Sequence, residues 1–311
     1  MSIATNRAGP SNATPIETQF VREIQRRFRT LRGLVRRTVG YENDALGLGP
    51  NARDRTTLGN AEPRERFDFE TRAGITRAFI RWLQQAIQDE ILEPVGIDEV
   101  KNGQHWTAAY IRSAVISGVN QSTGLLFQQG AGVENIPNAE ILQRPIFAKT
   151  LQDLHQRTYE NLESITSDMV PTVRDTLTEG YAKGWHPRKM ADELTDEIRD
   201  IQRTRAETLA RSETIHAHSE SSLRNYERAD VNVVSHRWSA ADDTRTCAFC
   251  RRLDGAALTI DEIRSEIVEF RGQVYRLQPP SHPNGRCVLM PLVGADAPDE
   301  TLDERVPGTV I

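Results

Sequence analysis

The sequence predicts an α+β protein, with a mainly helical N-terminal region followed by a small, zinc-stapled α+β domain. Three observations predict it. Apolar residues recur every three to four positions through most of the chain up to about Arg228, the period of an amphipathic helix. After Asp230 that period gives way to short β-branched runs separated by turn residues. All three cysteines fall in this last part, in the order Cys247-Ala-Phe-Cys250, a long insert, then His282-Pro-Asn-Gly-Arg-Cys287.

The composition bounds the function classes. A chain of 311 residues has room for two domains. Its apolar share of 38% lies below the globular average and its charged share of 27% slightly above it, so a modest core and some partner-facing surface are expected. The formal net charge of −5 argues against a chain devoted to nucleic acid, but it hides local basic clusters. Only Lys101, Lys149, Lys183 and Lys189 are lysines, and the other basic residues are arginines. A GC-rich or a high-salt host would each favour that bias. No run of about 18 apolar residues is present, so no membrane partner is expected. Met1 to Gln19 is polar, contains Pro10 and Pro15, and lacks the pattern of a signal peptide. An odd cysteine count does not make a disulfide framework, which points to a reducing cell.

In chain order, residues 1–15 are polar and broken by Gly and Pro, and are expected to form a disordered arm. A first helix is predicted from about Thr18 to Val39, with Phe20, Ile24, Phe28, Leu31, Val35 and Val39 on one face. Arg22, Arg26, Arg29, Arg32, Arg36 and Arg37 occupy its other side, opposed there only by Glu23. Such a face suits an acidic partner, DNA phosphate or a membrane surface, unless its arginines pair with acids elsewhere in the fold. A loop from Gly47 to Arg64 leads to a second helix marked by Ile75, Phe79, Leu83, Ile87 and Ile91 and ended by Pro94. A third runs from about Trp106 to Gln128 and is rich in Ser, Ala and Gly, which favours close packing. A fourth spans Ile146 to Asp168, with Pro171 near the start of a further helix to about Thr178. His186-Pro187 opens the next, and the last long helix runs from about Arg203 to Arg228. The C-terminal part is expected to hold strands at 231–238, 257–260, 273–277 and 288–293, with a short helix from Asp261 to Phe270.

The cysteine pattern supplies three thiols and one imidazole. That is the ligand set of a closed structural zinc site, so Cys247, Cys250, His282 and Cys287 are the predicted metal ligands. A metal cross-link is most useful in a small domain with few large apolar residues. Three unrelated buried thiols, or a Cys247–Cys250 disulfide, are the plainer alternatives. On spacing alone a DNA-binding zinc module also remains open.

Several separated motifs together carry a resemblance. They are Ala210-Arg211-Ser212-Glu213-Thr214, Trp238, Asp243-Thr-Arg-Thr-Cys247-Ala-Phe-Cys250, Leu253-Asp254-Gly255, and Pro279-Pro280-Ser-His282-Pro-Asn-Gly-Arg-Cys287. In this order they resemble the phage Mu F-like head morphogenesis family, the minor head proteins of tailed viruses. The family often has a further cysteine where this chain has Gly285, which still leaves four ligands. The resemblance implies a virion component near the portal vertex or capsid interior, assembled in the host cytoplasm. It would assist procapsid assembly, with DNA packaging or delivery as further roles. The implied partners are the portal protein and the major capsid protein, together with packaged DNA through the Arg-rich first helix. The corresponding domain plan is an arm at 1–15, a helical region at 16–140, the Mu F-like domain at 141–294 and an acidic flexible tail at 295–311.

A fold-level likeness of that family to ADP-ribosyltransferases raises an enzymatic alternative, because those enzymes need an arginine and a glutamate. Arg211 and Glu213 lie two positions apart on one predicted helix and so do not face each other. Ion pairs from both residues to the zinc-bearing domain are the expected use, and no catalytic or cofactor-binding residues are assigned. His216 and His218 read as surface residues, and His186 as exposed. Asp242-Asp243 reads as a cap on the turn before Cys247.

Overall fold

The structure is a computed structural model that describes residues 10–41, 44–48, 71–229, 231–294 and 301–305. Of the arm expected at 1–15, residues 1–9 lie outside the described residues, as do 49–64 of the loop expected from Gly47 to Arg64 and 295–300 and 306–311 of the tail expected at 295–311. Ser11 and Ala13 are buried and Thr14 and Pro15 already helical, which corrects the arm there. The described chain is α+β and divides into two compact units. One is built from Val21–Gly96 and Tyr159–Thr208, the other from 10–20, Ile97–Thr158 and 209–305. Among the described residues, no helix is long and apolar enough to cross a membrane.

The first of these units is helical among its described residues. Helix α1 (Thr14–Arg36) begins four residues before the expected start, with Pro15 in its first turn, where a missing N–H costs little. Phe28, Leu31 and Val35 are buried along one stripe. A single π-turn, Arg37–Tyr41, ends it and holds Gly40 against the start of the helix at Pro187–Ile201. A Cβ at Gly40 would stand 2.5 Å from the Pro187 carbonyl oxygen, so only glycine fits there. Helix α2 (Arg72–Ile87) is capped by the Thr71 hydroxyl, which accepts from the Gly74 N–H at 3.1 Å. Short helices α3 (Ile97–Lys101) and α5 (Asn138–Ile141) and the long α4 (Ala108–Gln128) belong to the other unit.

Helix α6 (Pro145–Lys183) corrects the expected break: Pro171 lies inside one continuous helix. The reason is its face. Pro171 and Ser167, whose carbonyl loses its helical donor, are both exposed, while Met169, Val170, Val173 and Leu177 are buried on the other side. On an exposed face a freed carbonyl stays open to solvent, and burial of the apolar face outweighs the proline penalty. Helix α7 (Pro187–Ile201) starts where expected, with the exposed His186 as its cap.

In the other unit, α4 packs against α8 (Glu207–Arg228) at very short range. A Cβ on Gly118 would lie 2.3 Å from the His218 carbonyl oxygen and 2.2 Å from Ser221 Oγ. Asn225 fills the same seam, donating to Ser122 Oγ at 2.8 Å and Thr123 Oγ1 at 3.0 Å. The small residues of α4 therefore serve backbone approach, as their composition suggested. His218, expected at the surface, is buried in this seam.

The chain then forms a three-stranded antiparallel sheet in the order β2-β1-β5, from β1 (Val233–Ser239), β2 (Ala257–Leu258) and β5 (Val288–Val293). Helix α9 (Ala248–Leu253) and helix α10 (Ile260–Ser265) flank β2. The predicted helix from Asp261 to Phe270 is shorter than expected. It is α10, capped by Thr259 rather than Asp261, and Ile267–Phe270 is strand β3, paired with β4 (Gln273–Arg276). Arg271 and Gly272 both take positive φ, 56° and 74°, giving the two-residue turn that matches strand twist. A core of Trp238, Phe249, Leu253, Leu258, Ile263, Val268, Leu277 and Leu289 fills the space under these elements. Leu302 of the short α11 (Leu302–Arg305) joins it.

Candidate metal centre

The four predicted ligands are delivered by two segments. Cys247 sits at the N-cap of α9. Its sulfur accepts from the Cys250 N–H at 3.3 Å, which turns both sulfurs to one side. Phe249, between them, is buried and stacks on Tyr275 of β4 with ring centroids 4.0 Å apart. The aromatic between the cysteines thus anchors the knuckle to the hairpin.

The second segment is the loop between β4 and β5. His282 Nε2 lies 3.3 Å from Cys247 Sγ and 3.2 Å from Cys250 Sγ. All three donor atoms lie within 4.8 Å of one another. Ligands on a tetrahedral zinc ion, with bonds of about 2.0–2.3 Å, stand about 3.5 Å apart, so the donor set fits such an ion. The other ring nitrogen, Nδ1, is 2.9 Å from the Pro283 carbonyl. A donation from Nδ1–H to that carbonyl fixes the tautomer that presents a lone pair at Nε2, as metal-binding histidines require.

Cys287 is buried and its ionisation is linked to that of Cys250, but it is not one of the three mutually adjacent donors. The thiols are not independent. The hydrogen bond to Cys287, reinforced by burial, pushes the Cys250 thiol up, while the same contact holds Cys287 down. Packed sulfurs out of water cannot all ionise together unless a cation shares the space.

The surrounding charges hold the loop. Arg286 grips Asp243 through two parallel bonds, Nη1 to Oδ2 at 2.7 Å and Nη2 to Oδ1 at 2.6 Å. That fork holds the Asp243 carboxyl well below the usual carboxylate range. Asp243 also accepts from the Arg245 N–H at 2.9 Å, so it caps the turn before Cys247 as expected. The clamp adds what the sequence did not show: it joins the residue before Cys287 to the approach to Cys247. Burial raises the Glu17 carboxyl, opposed by Arg211, Arg286 and Arg245 nearby.

The Arg211-Ser212-Glu213 motif divides its work. Asn284, at a φ of 60° in the metal-side loop, donates its N–H to Ser212 Oγ at 3.1 Å, and Arg211 reaches the Asn284 side chain at 3.5 Å. Glu213 turns the other way and is buried against α6, where Arg157 Nε meets Oε2 at 3.0 Å. Arg211 therefore ties α8 to the metal-side loop through a neutral amide rather than the expected ion pair, whereas Glu213 ties it to a helix instead. Gly285 is buried, and a Cβ there would sit 3.1 Å from the His282 carbonyl oxygen.

Residues 171–290 match the family model described as Phage Mu protein F like protein. The metal-side loop, both helices that hold it and the sheet lie largely within that span. Over those residues the chain is similar to the phage Mu F-like family. No curated protein and no solved structure matches the chain.

Proposed function

We propose that the chain is a minor head protein of a tailed virus, placed at the portal vertex or capsid interior, where it assists procapsid assembly and the passage of DNA. The match of residues 171–290 to the phage Mu F-like family carries this reading. Its partners in that setting are the portal protein and the major capsid protein, with packaged DNA reached through the first helix. The chain's part is structural, and turnover is not expected of it.

Within this reading the C-terminal domain is held in shape by structural zinc on Cys247, Cys250, His282 and Cys287. Three of these donors already converge, and Cys287, buried and linked in ionisation to Cys250, is the fourth in this reading. Bound zinc supplies a fixed cross-link and no reaction. The chain's own residues do the positioning: Pro283 orients the imidazole, Asp243 and Arg286 hold the loop, and Ser212 fastens it to α8.

Mass spectrometry of purified heads, with and without an intact copy of this chain, tests the function. The expected result is a low-copy head component whose deletion yields defective or empty heads. A chain absent from heads and procapsids, with normal heads formed in its absence, refutes the reading.

A further inference from the structure

The arginines of α1 do not form one uniform basic face. Arg26 and Arg27 are neutralised within the unit: Glu23 meets Arg27 Nε at 2.9 Å, and Glu93 meets Arg27 Nη2 at 2.8 Å. Further along, the balance reverses. Arg29, Arg32 and Arg36 follow one another at i, i+3 and i+7, and so share a side of the helix. Arg36 Nη2 bonds Asp192 on α7 at 3.0 Å, and this register brings the next turns of α7, carrying Asp196 and Arg199, alongside Arg32. Arg199 already pairs with Asp196.

Arg32 is left in an unfavourable place. Its Nε is buried and has no hydrogen-bond partner. Burial disfavours its charge, as do Arg199, Arg29 and Arg36 around it, with Asp196 the main opposing group. A guanidinium held among guanidiniums, with a buried donor unused, costs stability unless an anion completes the set.

We propose that Arg29, Arg32, Arg36 and Arg199 form a phosphate-binding site that takes the backbone of duplex DNA. The chemistry favours phosphate. Arginine's planar fork bonds phosphate oxygens in pairs, and Arg29, Arg36 and Arg199 are exposed while Arg32 is half-buried. Along the helix, Arg29 to Arg36 spans roughly 10 Å at 1.5 Å per residue, enough for neighbouring phosphates of one strand. An acidic protein surface would offer carboxylates on mobile stems without that regular spacing. DNA as the phosphate source rests on the head-protein reading, and head incorporation of the variant, scored separately, shows which of the two ideas has failed.

The test is fluorescence anisotropy with a labelled duplex of about 30 base pairs across a salt series, using the full chain. Arg32→Met keeps the aliphatic stem and removes the charge, and Arg199→Gln provides an independent second variant. Each is expected to weaken DNA binding about tenfold and to lower the salt slope by about one. Arg32→Met is also expected to melt no lower than the wild type, because it removes an uncompensated cation. Unchanged affinity and slope in both variants would overturn the site. So would wild-type protein that binds polyglutamate but not the duplex.

Discussion

Replacing Cys250 by serine is the sharpest perturbation of the proposed staple. Cys250 is buried and stands 3.2 Å from His282 across a separation of 32 residues, and Cys247 and His282 are 35 residues apart. A cross-link that closes a loop of that size restricts the unfolded chain by about 4 kcal/mol in the loop-entropy model. A domain with ordinary stability of roughly 5–15 kcal/mol loses a large share of it when the link goes. At about 4–8 °C per kcal/mol for a domain of this size, the melting midpoint of the C-terminal part should fall by roughly 15–30 °C. The assay is scanning calorimetry on wild type and Cys250→Ser, each with zinc and with a chelator, beside metal analysis of the purified protein. Zinc should raise the wild-type transition and leave the variant's unchanged. A wild-type protein that carries no zinc and melts at the same temperature after chelation would refute the staple.

The same apparatus checks three further expectations. Cys287→Ser should lower zinc occupancy nearly as much as Cys250→Ser; full occupancy would show that the ion is completed by another group. Gly118→Ala drives a Cβ into the His218 carbonyl, where backbone cannot yield cheaply, and should cost about 1–3 kcal/mol in urea unfolding. His218 is buried and held neutral, its pKa pushed down to about 4. The unfolded chain takes up its proton near the ordinary value of about 6.5, so this stabilisation is complete above that pH and drains away as pH falls towards 4. His218→Gln should flatten the loss of stability over that window relative to wild type, and an unchanged slope would show that the imidazole is not buried in the folded protein.

The donors of the metal centre were legible because ligand identity and spacing are local properties of sequence. Cys247, Cys250 and His282 converge as their order implied. The helices of α1, α2 and α4 were legible for a similar reason, since their apolar period is long and unbroken. What sequence did not show was set by partners distant in the chain. Pro171 passes unnoticed because it lies on the exposed face of α6. Ile267–Phe270 looked helical beside α10, although the Arg271-Gly272 pair between two alternating runs was a usable hairpin signal. No pattern announced that Arg286 would fork onto Asp243, 43 residues away, or that Glu213 would choose Arg157. Such pairings follow from the assembled geometry of one unit.

The scattered family motifs acquire a common purpose once they are placed. Asp243 clamps Arg286; Asp254 accepts from the Ala240 N–H at 2.9 Å; Gly255, at a φ of 89°, donates to the Trp238 carbonyl at 2.9 Å. Ser212 holds Asn284, and Arg211 reaches the same residue. Each fixes a segment leading to or from one of the candidate metal donors, and none needs a bound substrate to explain its chemistry. The Arg286 clamp should therefore act on metal retention before it acts on anything else. Arg286→Ala leaves the four donors intact but frees the loop that carries His282 and Cys287. It should weaken zinc binding by about tenfold, within the range seen when groups supporting metal ligands are removed. Competition with a chromogenic chelator measures that affinity directly. If Arg286→Ala holds zinc as tightly as wild type while Cys250→Ser does not, the clamp is only a surface ion pair, and the loop is positioned by Ser212 and the Phe249–Tyr275 stack alone.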